Sequence, residues 1–243
     1  MSFYLEKPIA HRGFHNEDLP ENSMAAFEKA IELGFAIELD VHLSKDGIPV
    51  VFHDEELERM TGSNGRVSQY ILSSLKKLHL NGTEQTIPTL EEVLELVDGR
   101  VPLIIELKVN DHNGEFEAEV MKYLHFYEGD YTIQSFNPLT LKWIRSHYPN
   151  TVLGLLVTSD FSDTDLNLPK RKLLQYMALA PVVRPDYIGL DYKTFNIAQY
   201  YLIKMMTHGH IVFWTIDNMD LYEECQDLCD NIIFEGFIPP EKS

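Results

Sequence analysis

His11-Arg12-Gly13, Glu38-Leu39-Asp40 and His53-Asp54 place two histidines, an arginine and a pair of carboxylates close together near the start of the chain. Carboxylates two residues apart on an extended strand point to the same side. They are hard oxygen donors of the kind that Mg²⁺ and Ca²⁺ take. Histidine titrates near neutrality, so a pair can serve as acid and base in one turnover. Arginine offers phosphate oxygens a planar, permanently charged fork. Together these groups are what metal-assisted attack on a phosphodiester requires.

The elements that must position them follow from hydrophobic periodicity. Short apolar runs at 8–10, 36–43, 102–108, 131–135, 152–157, 187–191, 211–216 and 231–234 read as strands. Helical stripes lie between them, such as Met24, Phe27 and Ile31, and Ile197, Tyr201, Met205 and His208. Asn22-Ser23 is a capping pair before the first stripe, and Gly34 and Gly209 stand just past helix ends. Eight alternations of strand and helix predict an α/β fold, the parallel (β/α)₈ TIM barrel. A doubly wound sheet is the alternative, but no Gly-x-Gly-x-x-Gly turn supports it.

Two irregularities interrupt the rhythm. Lys45-Asp46-Gly47 before the run 48–52 signals an extra antiparallel hairpin strand. Residues 54–88 then delay the next helix, predicted at 89–97, and form a small insertion after the second barrel strand. A long connection at 158–169, with Asp160, Asp163 and Asp165, is either a lid or a solvated loop. Too little sequence follows the last strand for a further helix. No linker or repeat appears, so 1–243 reads as a single domain.

Strand alternation sorts the second strand. Ile37, Leu39, Val41 and Leu43 face one way; Glu38, Asp40 and His42 face the other, toward the barrel axis. On the third barrel strand Glu106 and Lys108 share the inward face. Glu38, Asp40 and Glu106 therefore form a three-oxygen cluster. It is either a site for Mg²⁺ or Ca²⁺ or a core ion cluster neutralised by Lys108. Asp54 either orients His53 or caps a turn. Asn22 either orders the site with Glu21 or only caps the helix.

These residues carry a resemblance. His11-Arg12-Gly13, Pro20-Glu21-Asn22-Ser23, Ala26-Phe27, Glu38-Leu39-Asp40-Val41, Lys45-Asp46-Gly47, Pro49-Val50-Val51, His53-Asp54 and Arg59-Met60-Thr61-Gly62 resemble the signature of the glycerophosphodiester phosphodiesterase family. Ile105-Glu106-Leu107-Lys108, Gln134-Ser135-Phe136 and Trp214-Thr215 are weaker matches further on. The resemblance implies a divalent-cation-dependent barrel hydrolase that releases sn-glycerol 3-phosphate and an alcohol. It implies His11 and His53 as catalytic residues, and Glu38, Asp40 and Glu106 as metal ligands. It implies Arg12 and Lys108 at the phosphate, and Trp214 lining the substrate pocket. The chain departs from the family at Ile216-Asp217 and Phe234-Glu235-Gly236-Phe237. Asp217 adds negative charge near the pocket, which would favour a cationic, choline-like headgroup.

A lysophospholipase D-like lipid phosphodiesterase would use the same site. It would need an apolar groove, for which Tyr70-Ile71-Leu72 and Leu78-His79-Leu80 in the insertion are candidates. A catalytically silent, phosphodiester-binding barrel is the reading from a different class.

The bulk properties narrow the field further. A length of 243 residues with 44% apolar residues suits one barrel. With 38 acidic and 20 basic residues the net charge is −18, which argues against a nucleic-acid or anionic-membrane surface. The expected partner is a small-molecule glycerophosphodiester; oligomeric state is not readable. Cys225 and Cys229 stand four apart, on one face of a predicted helix, and suggest neither a disulfide scaffold nor a zinc site. No secretory start and no run of about 18 apolar residues occurs. A cytoplasmic location is expected.

Overall fold

The computed structural model describes residues 3–109, 114–160, 180–206 and 210–240. It consists of two compact units, Met1–Tyr131 and Thr132–Ser243. The first contains β1 (Ile9–Ala10), α1 (Met24–Leu33), β2 (Ala36–Leu43), β3 (Pro49–Val51), α2 (Glu58–Thr61), α3 (Leu72–Leu75), α4 (Leu90–Val97), β4 (Leu103–Leu107) and α5 (Glu115–Leu124). Strands β1 and β4 both pair with β2 in parallel, with Ile9 opposite Ala36 and Asp40 opposite Glu106. Strand β3 returns antiparallel on β2, with Leu43 opposite Pro49, as the Asp46-Gly47 turn predicts.

Local chemistry sets the helix ends. Ser23, not Asn22, caps α1: its hydroxyl accepts from the Ala26 N–H at 3.2 Å. Gly34 ends α1 at φ 74°, a left-handed conformation that costs glycine little. Thr89 and Glu92 form a capping box at the start of α4, each side chain accepting from the other's backbone N–H.

The insertion builds a core of its own. Leu57, Met60, Val67, Leu75, Leu80 and Ile87 pack with Val50 and Phe52 from the hairpin. Tyr70, Leu72 and Leu78 pack against this cluster, while Ile71 is exposed. Most of the apolar residues that were candidates for a lipid groove are spent on this small core.

The second unit contains β5 (Tyr131–Ser135), α6 (Pro138–His147), β6 (Val152–Val157), α7 (Ala180–Val183), β7 (Tyr187–Asp191), α8 (Ile197–Met206), β8 (Ile211–Ile216), α9 (Met219–Cys225) and β9 (Asn231–Phe234). Its strands pair in parallel in the order β5-β6-β7-β8-β9. Gly154 on β6 is required by close packing, since a Cβ there would lie 2.2 Å from the ring of Tyr187. That ring is held by hydrogen bonds to Thr132 and Gln134.

All eight predicted parallel strands are therefore present, three in the first unit and five in the second, alternating with helices. The fold class is the (β/α)₈ TIM barrel, and β3 is the extra antiparallel piece. Two details differ from the sequence expectation. On α8 the stripe Ile197, Tyr201 and Met205 is exposed, at 63%, 62% and 84%, and Gln199 and Ile203 are buried instead. The Gln199 amide fixes that face, accepting from the Asn196 N–H and bonding Ser159. Helix α9 ends at Cys225, so Cys229 lies beyond it, its thiol donating to the Cys225 carbonyl. Of the connection at 158–169, the part from 161 on lies outside the described residues, as do His208 and Gly209.

Leu75 is fully buried in the insertion core. Leu75→Ala is expected to lower unfolding free energy by about 2–5 kcal/mol, read from urea denaturation. A loss under ~1 kcal/mol would show that this core does not contribute to the cooperative fold.

Candidate active site

Register brings the acidic side chains together. Glu38 and Asp40 share one face of β2, and the β2–β4 pairing sets Glu106 opposite Asp40. The three are 2%, 1% and 6% exposed, and one carboxylate oxygen from each lies within 4.8 Å of the others. Burying even one carboxylate without compensation is costly, and three side by side repel.

The surroundings supply part of the compensation. Lys108 Nζ lies 3.0 Å from Asp40 Oδ1 and 2.6 Å from Glu106 Oε1. The Arg12 backbone N–H donates to Glu38 Oε2 at 3.0 Å. The Asn22 amide donates to Asp40 Oδ2 at 2.9 Å. Burial pushes the Asp40 carboxyl up, but Lys108, His53, Arg12 and the Asn22 hydrogen bond outweigh it and hold Asp40 far below the ordinary range. Glu38 goes the other way: burial, then Asp40 and Glu106, push it well above the ordinary range. Burial likewise raises Glu106. Three carboxylates thus face two fixed cations, Arg12 and Lys108, and Glu38 is the carboxyl pushed furthest toward its protonated form.

A hard divalent cation fits this arrangement. The donors are all oxygens and they converge within reach of one ion. Both features read from the sequence coexist here: Lys108 neutralises part of the cluster, and the remainder suits a metal.

Arg12 enters through an unusual backbone. It adopts φ 54° and is followed by Gly13 at φ 81°, where a Cβ would lie 2.9 Å from the Ala26 backbone. This turn directs the Arg12 N–H at Glu38 and brings its guanidinium over Asp40. Arg12 Nε lies 3.5 Å from Asp40 Oδ2, too poorly aligned for a hydrogen bond, and is a buried donor without an acceptor. Such a donor beside a candidate metal site suits a phosphate oxygen.

His53 follows β3 and is one-third exposed. Its Nδ1 lies 2.6 Å from Asp54 Oδ1. Burial alone would raise the Asp54 carboxyl, but hydrogen bonds from His53 and Arg59 hold it well below the ordinary range. Ionised Asp54 can only accept, so Nδ1–H donates and Nε2 is left for chemistry. Asp54 therefore orients His53. His42, on the inward face of β2, donates from Nε2 to the His53 carbonyl at 3.0 Å. Burial drops its pKa to about 4, so it is neutral and able to make that bond.

His11, Arg12, Glu38, Asp40, His53, Glu106 and Lys108 all lie in the first unit. Arg12, Glu38, Asp40, Glu106 and Lys108 form one contact network, and the charge of His53 acts on Asp40 and Glu106. His11 precedes Arg12 and faces the His15 ring at 6.4 Å. Trp214 lies on β8 of the second unit, edge-on to Phe136 at 5.5 Å, with its indole N–H buried and unbonded. Asp217, also in that unit, is paired with Lys193 at 2.6 Å.

Sequence reasoning missed the role of Arg59 and left those of Glu21 and Asn22 open. Asn22, at φ 54°, holds Asp40; Glu21 pairs with Arg12 at 2.7 Å and with Arg59 at 2.6 Å. Their motifs stand out in the sequence, but their partners are distant along the chain.

The family model described as the Glycerophosphoryl diester phosphodiesterase family matches residues 11–236. A glycerophosphodiester phosphodiesterase of Caldanaerobacter subterraneus subsp. tengcongensis is 40% identical over 160 residues, covering 61% of this chain and 65% of that relative. One from Bacillus altitudinis is 35% identical, covering 68% and 71%. Among solved structures, an Oleispira antarctica phosphodiesterase in complex with the product sn-glycerol-3-phosphate aligns with TM-score 0.79 and 27% identity, over 97% of this chain and 95% of that one.

Asn22→Gly keeps the left-handed backbone accessible and removes only the amide from Asp40. It is expected to cost about 1.5–3 kcal/mol, the range for a hydrogen bond to a charged group, read from chemical denaturation. An unchanged midpoint would show that Asn22 does not support the acidic cluster.

Proposed function

We propose that this chain, which belongs to the glycerophosphoryl diester phosphodiesterase family, hydrolyses glycerophosphodiesters to sn-glycerol 3-phosphate and an alcohol with the help of a divalent cation. The observation that carries this is the buried, converging trio Glu38, Asp40 and Glu106 beside Arg12 and the His53–Asp54 pair. The family match and the named activity of the relatives support the reaction; the residue roles are those the family resemblance implies, argued from the contacts these residues make.

Glu38, Asp40 and Glu106 would hold Mg²⁺ or Ca²⁺. Bound there, the ion would supply Lewis-acid stabilisation of charge on a phosphate oxygen. Arg12 would grip a non-bridging oxygen with its unsatisfied Nε–H. Lys108, bonded to Asp40 and Glu106, would keep the ligands in place and offset charge building at phosphorus. His53, with Nδ1–H held by Asp54, would present Nε2 as the acid that protonates the leaving alcohol. His11 would take the proton of the nucleophile as base. Either water or the neighbouring glycerol hydroxyl would attack, the second giving a cyclic phosphate for later hydrolysis. A substrate lacking that hydroxyl separates the two: turnover supports direct attack by water.

Trp214, with Phe136 beside it, would line the pocket for glycerol or the alcohol. Residues 1–243 would act as one catalytic domain with 54–88 as an insertion, a reading supported by a family match that runs across both units. No helix among the described residues is long and apolar enough to cross a membrane. We place the protein in the cytoplasm, acting on a small soluble diester and not on nucleic acid, consistent with its −18 charge.

The test is turnover of a glycerophosphodiester panel and of lysophosphatidylcholine, with and without chelator and with Mg²⁺ or Ca²⁺ restored. Chelation is expected to abolish release of glycerol 3-phosphate, and the restored ion to recover it. Metal-dependent binding without hydrolysis would instead favour the silent binding barrel. His11→Ala and His53→Ala are each expected to lower kcat by about 10²–10⁴-fold with circular dichroism unchanged. Near-normal turnover in either variant would remove that histidine from the mechanism.

A further inference from the structure

The acid–base histidine and the phosphate-gripping arginine are joined by a guanidinium that neither role includes. Arg59 lies on α2 and makes two forked ion pairs. Its Nε and Nη2 donate to Asp54 at 2.5 and 3.0 Å. Its Nη2 and Nη1 donate to Glu21 at 2.6 and 3.0 Å. Asp54 in turn accepts from His53 Nδ1, and Glu21 from Arg12 Nη1 at 2.7 Å. An unbroken line of charge-assisted bonds runs His53–Asp54–Arg59–Glu21–Arg12.

We propose that Arg59 is a positioning residue for the hydrolysis, setting the orientation of His53 and of Arg12 through a single planar group. The proposal rests on the roles given above to those two residues. Both carboxylates that Arg59 holds have a second partner in the site. Asp54 must stay ionised and fixed to keep the proton of His53 on Nδ1. Glu21 must stay fixed for the Arg12 guanidinium to keep its angle over Asp40. Lysine cannot reproduce this, because an ammonium is a point charge and cannot form two bidentate forks at once.

Geometry separates this role from ordinary surface stabilisation. Arg59 is 47% exposed, and an exposed ion pair contributes little to folding. Arg66 supplies the comparison: it is 52% exposed and also bonds two carboxylates, Glu55 and Glu56, each at 3.0 Å, but neither has a role in the chemistry given above. Arg59 is itself anchored by that insertion. Its neighbours Leu57 and Met60 sit in the insertion core, and α2 ends at Gly62, φ 68°. Through Arg59 the insertion core is tied both to Asp54, at the insertion's own start, and to Glu21 outside it.

The experiment measures kcat and KM for wild type, Arg59→Ala, Arg59→Lys, Arg66→Ala and His53→Ala on one glycerophosphodiester, with thermal midpoints for each. Arg59→Ala is expected to lose roughly tenfold to a hundredfold in kcat, the range for removing a partner that orients a site residue, and to raise KM as Arg12 loosens. Arg59→Lys should fail to restore kcat, free guanidinium at low concentration should partly rescue Arg59→Ala, and Arg66→Ala should match wild type. Wild-type kcat and KM in Arg59→Ala, or full activity in Arg59→Lys, overturns the proposal. If Arg59→Ala does not fold, Arg59→Lys decides: a folded lysine variant with the loss supports it. An inert wild type, or an active His53→Ala, overturns the functional reading itself, and an active wild type with an inert His53→Ala leaves Arg59 alone under test.

Discussion

Three carboxylates buried within a few ångströms of one another are the constraint on which the rest of the first unit depends. Glu38, Asp40 and Glu106 repel, and each has lost its water. The fold answers with Lys108 between two of them, the Arg12 backbone on the third and the Asn22 amide on Asp40. Two of these answers need left-handed backbone, at Arg12 and Asn22, which explains the tight Arg12-Gly13 turn and the non-helical residue just before the α1 cap. Local conformational cost is accepted there because it satisfies a larger electrostatic one. The compensation is incomplete: Glu38 is left favouring its protonated form, and a divalent cation bound to the trio, as proposed above, would displace that proton.

The hairpin and the insertion serve the same centre from a different direction. Strand β3 carries the chain back along β2 and delivers His53 beside the acids. The insertion that follows closes a small core of its own and from it extends Arg59 to Asp54 and Glu21. The acid cluster and His53 are thus tied together by the β2–β3 pairing, by Val50 and Phe52 in the insertion core, and by the charged side chains of Arg59, Asp54 and Glu21.

Much of this was legible in the sequence where the physics is periodic or local. Alternation on β2 put Glu38, Asp40 and His42 on one face, and the same pattern on β4 added Glu106 and Lys108. The Asp46-Gly47 turn announced β3, and eight alternations announced the barrel. What could not be read depends on side chains meeting across long separations. Arg59 and Glu21 are 38 residues apart and meet only because the insertion folds on itself. Asn22 looked like a cap, but Ser23 takes that position and frees the amide for Asp40. The stripe on α8 fails for a related reason: a polar anchor, Gln199, sets the buried face of that helix where hydrophobicity alone pointed elsewhere. The pairing of Asp217 with Lys193 is likewise not announced by anything local to either residue.

On the function proposed above, the buried acids form a single cation site. Calorimetric titration of Mg²⁺, and separately of Ca²⁺, into chelator-treated protein is the decisive measurement. One cation per chain is expected, with affinity in Asp40→Asn and Glu38→Gln reduced by more than the roughly tenfold to hundredfold typical of losing a supporting hydrogen-bond partner. No binding of either ion, or binding that is unchanged in both variants, would contradict it.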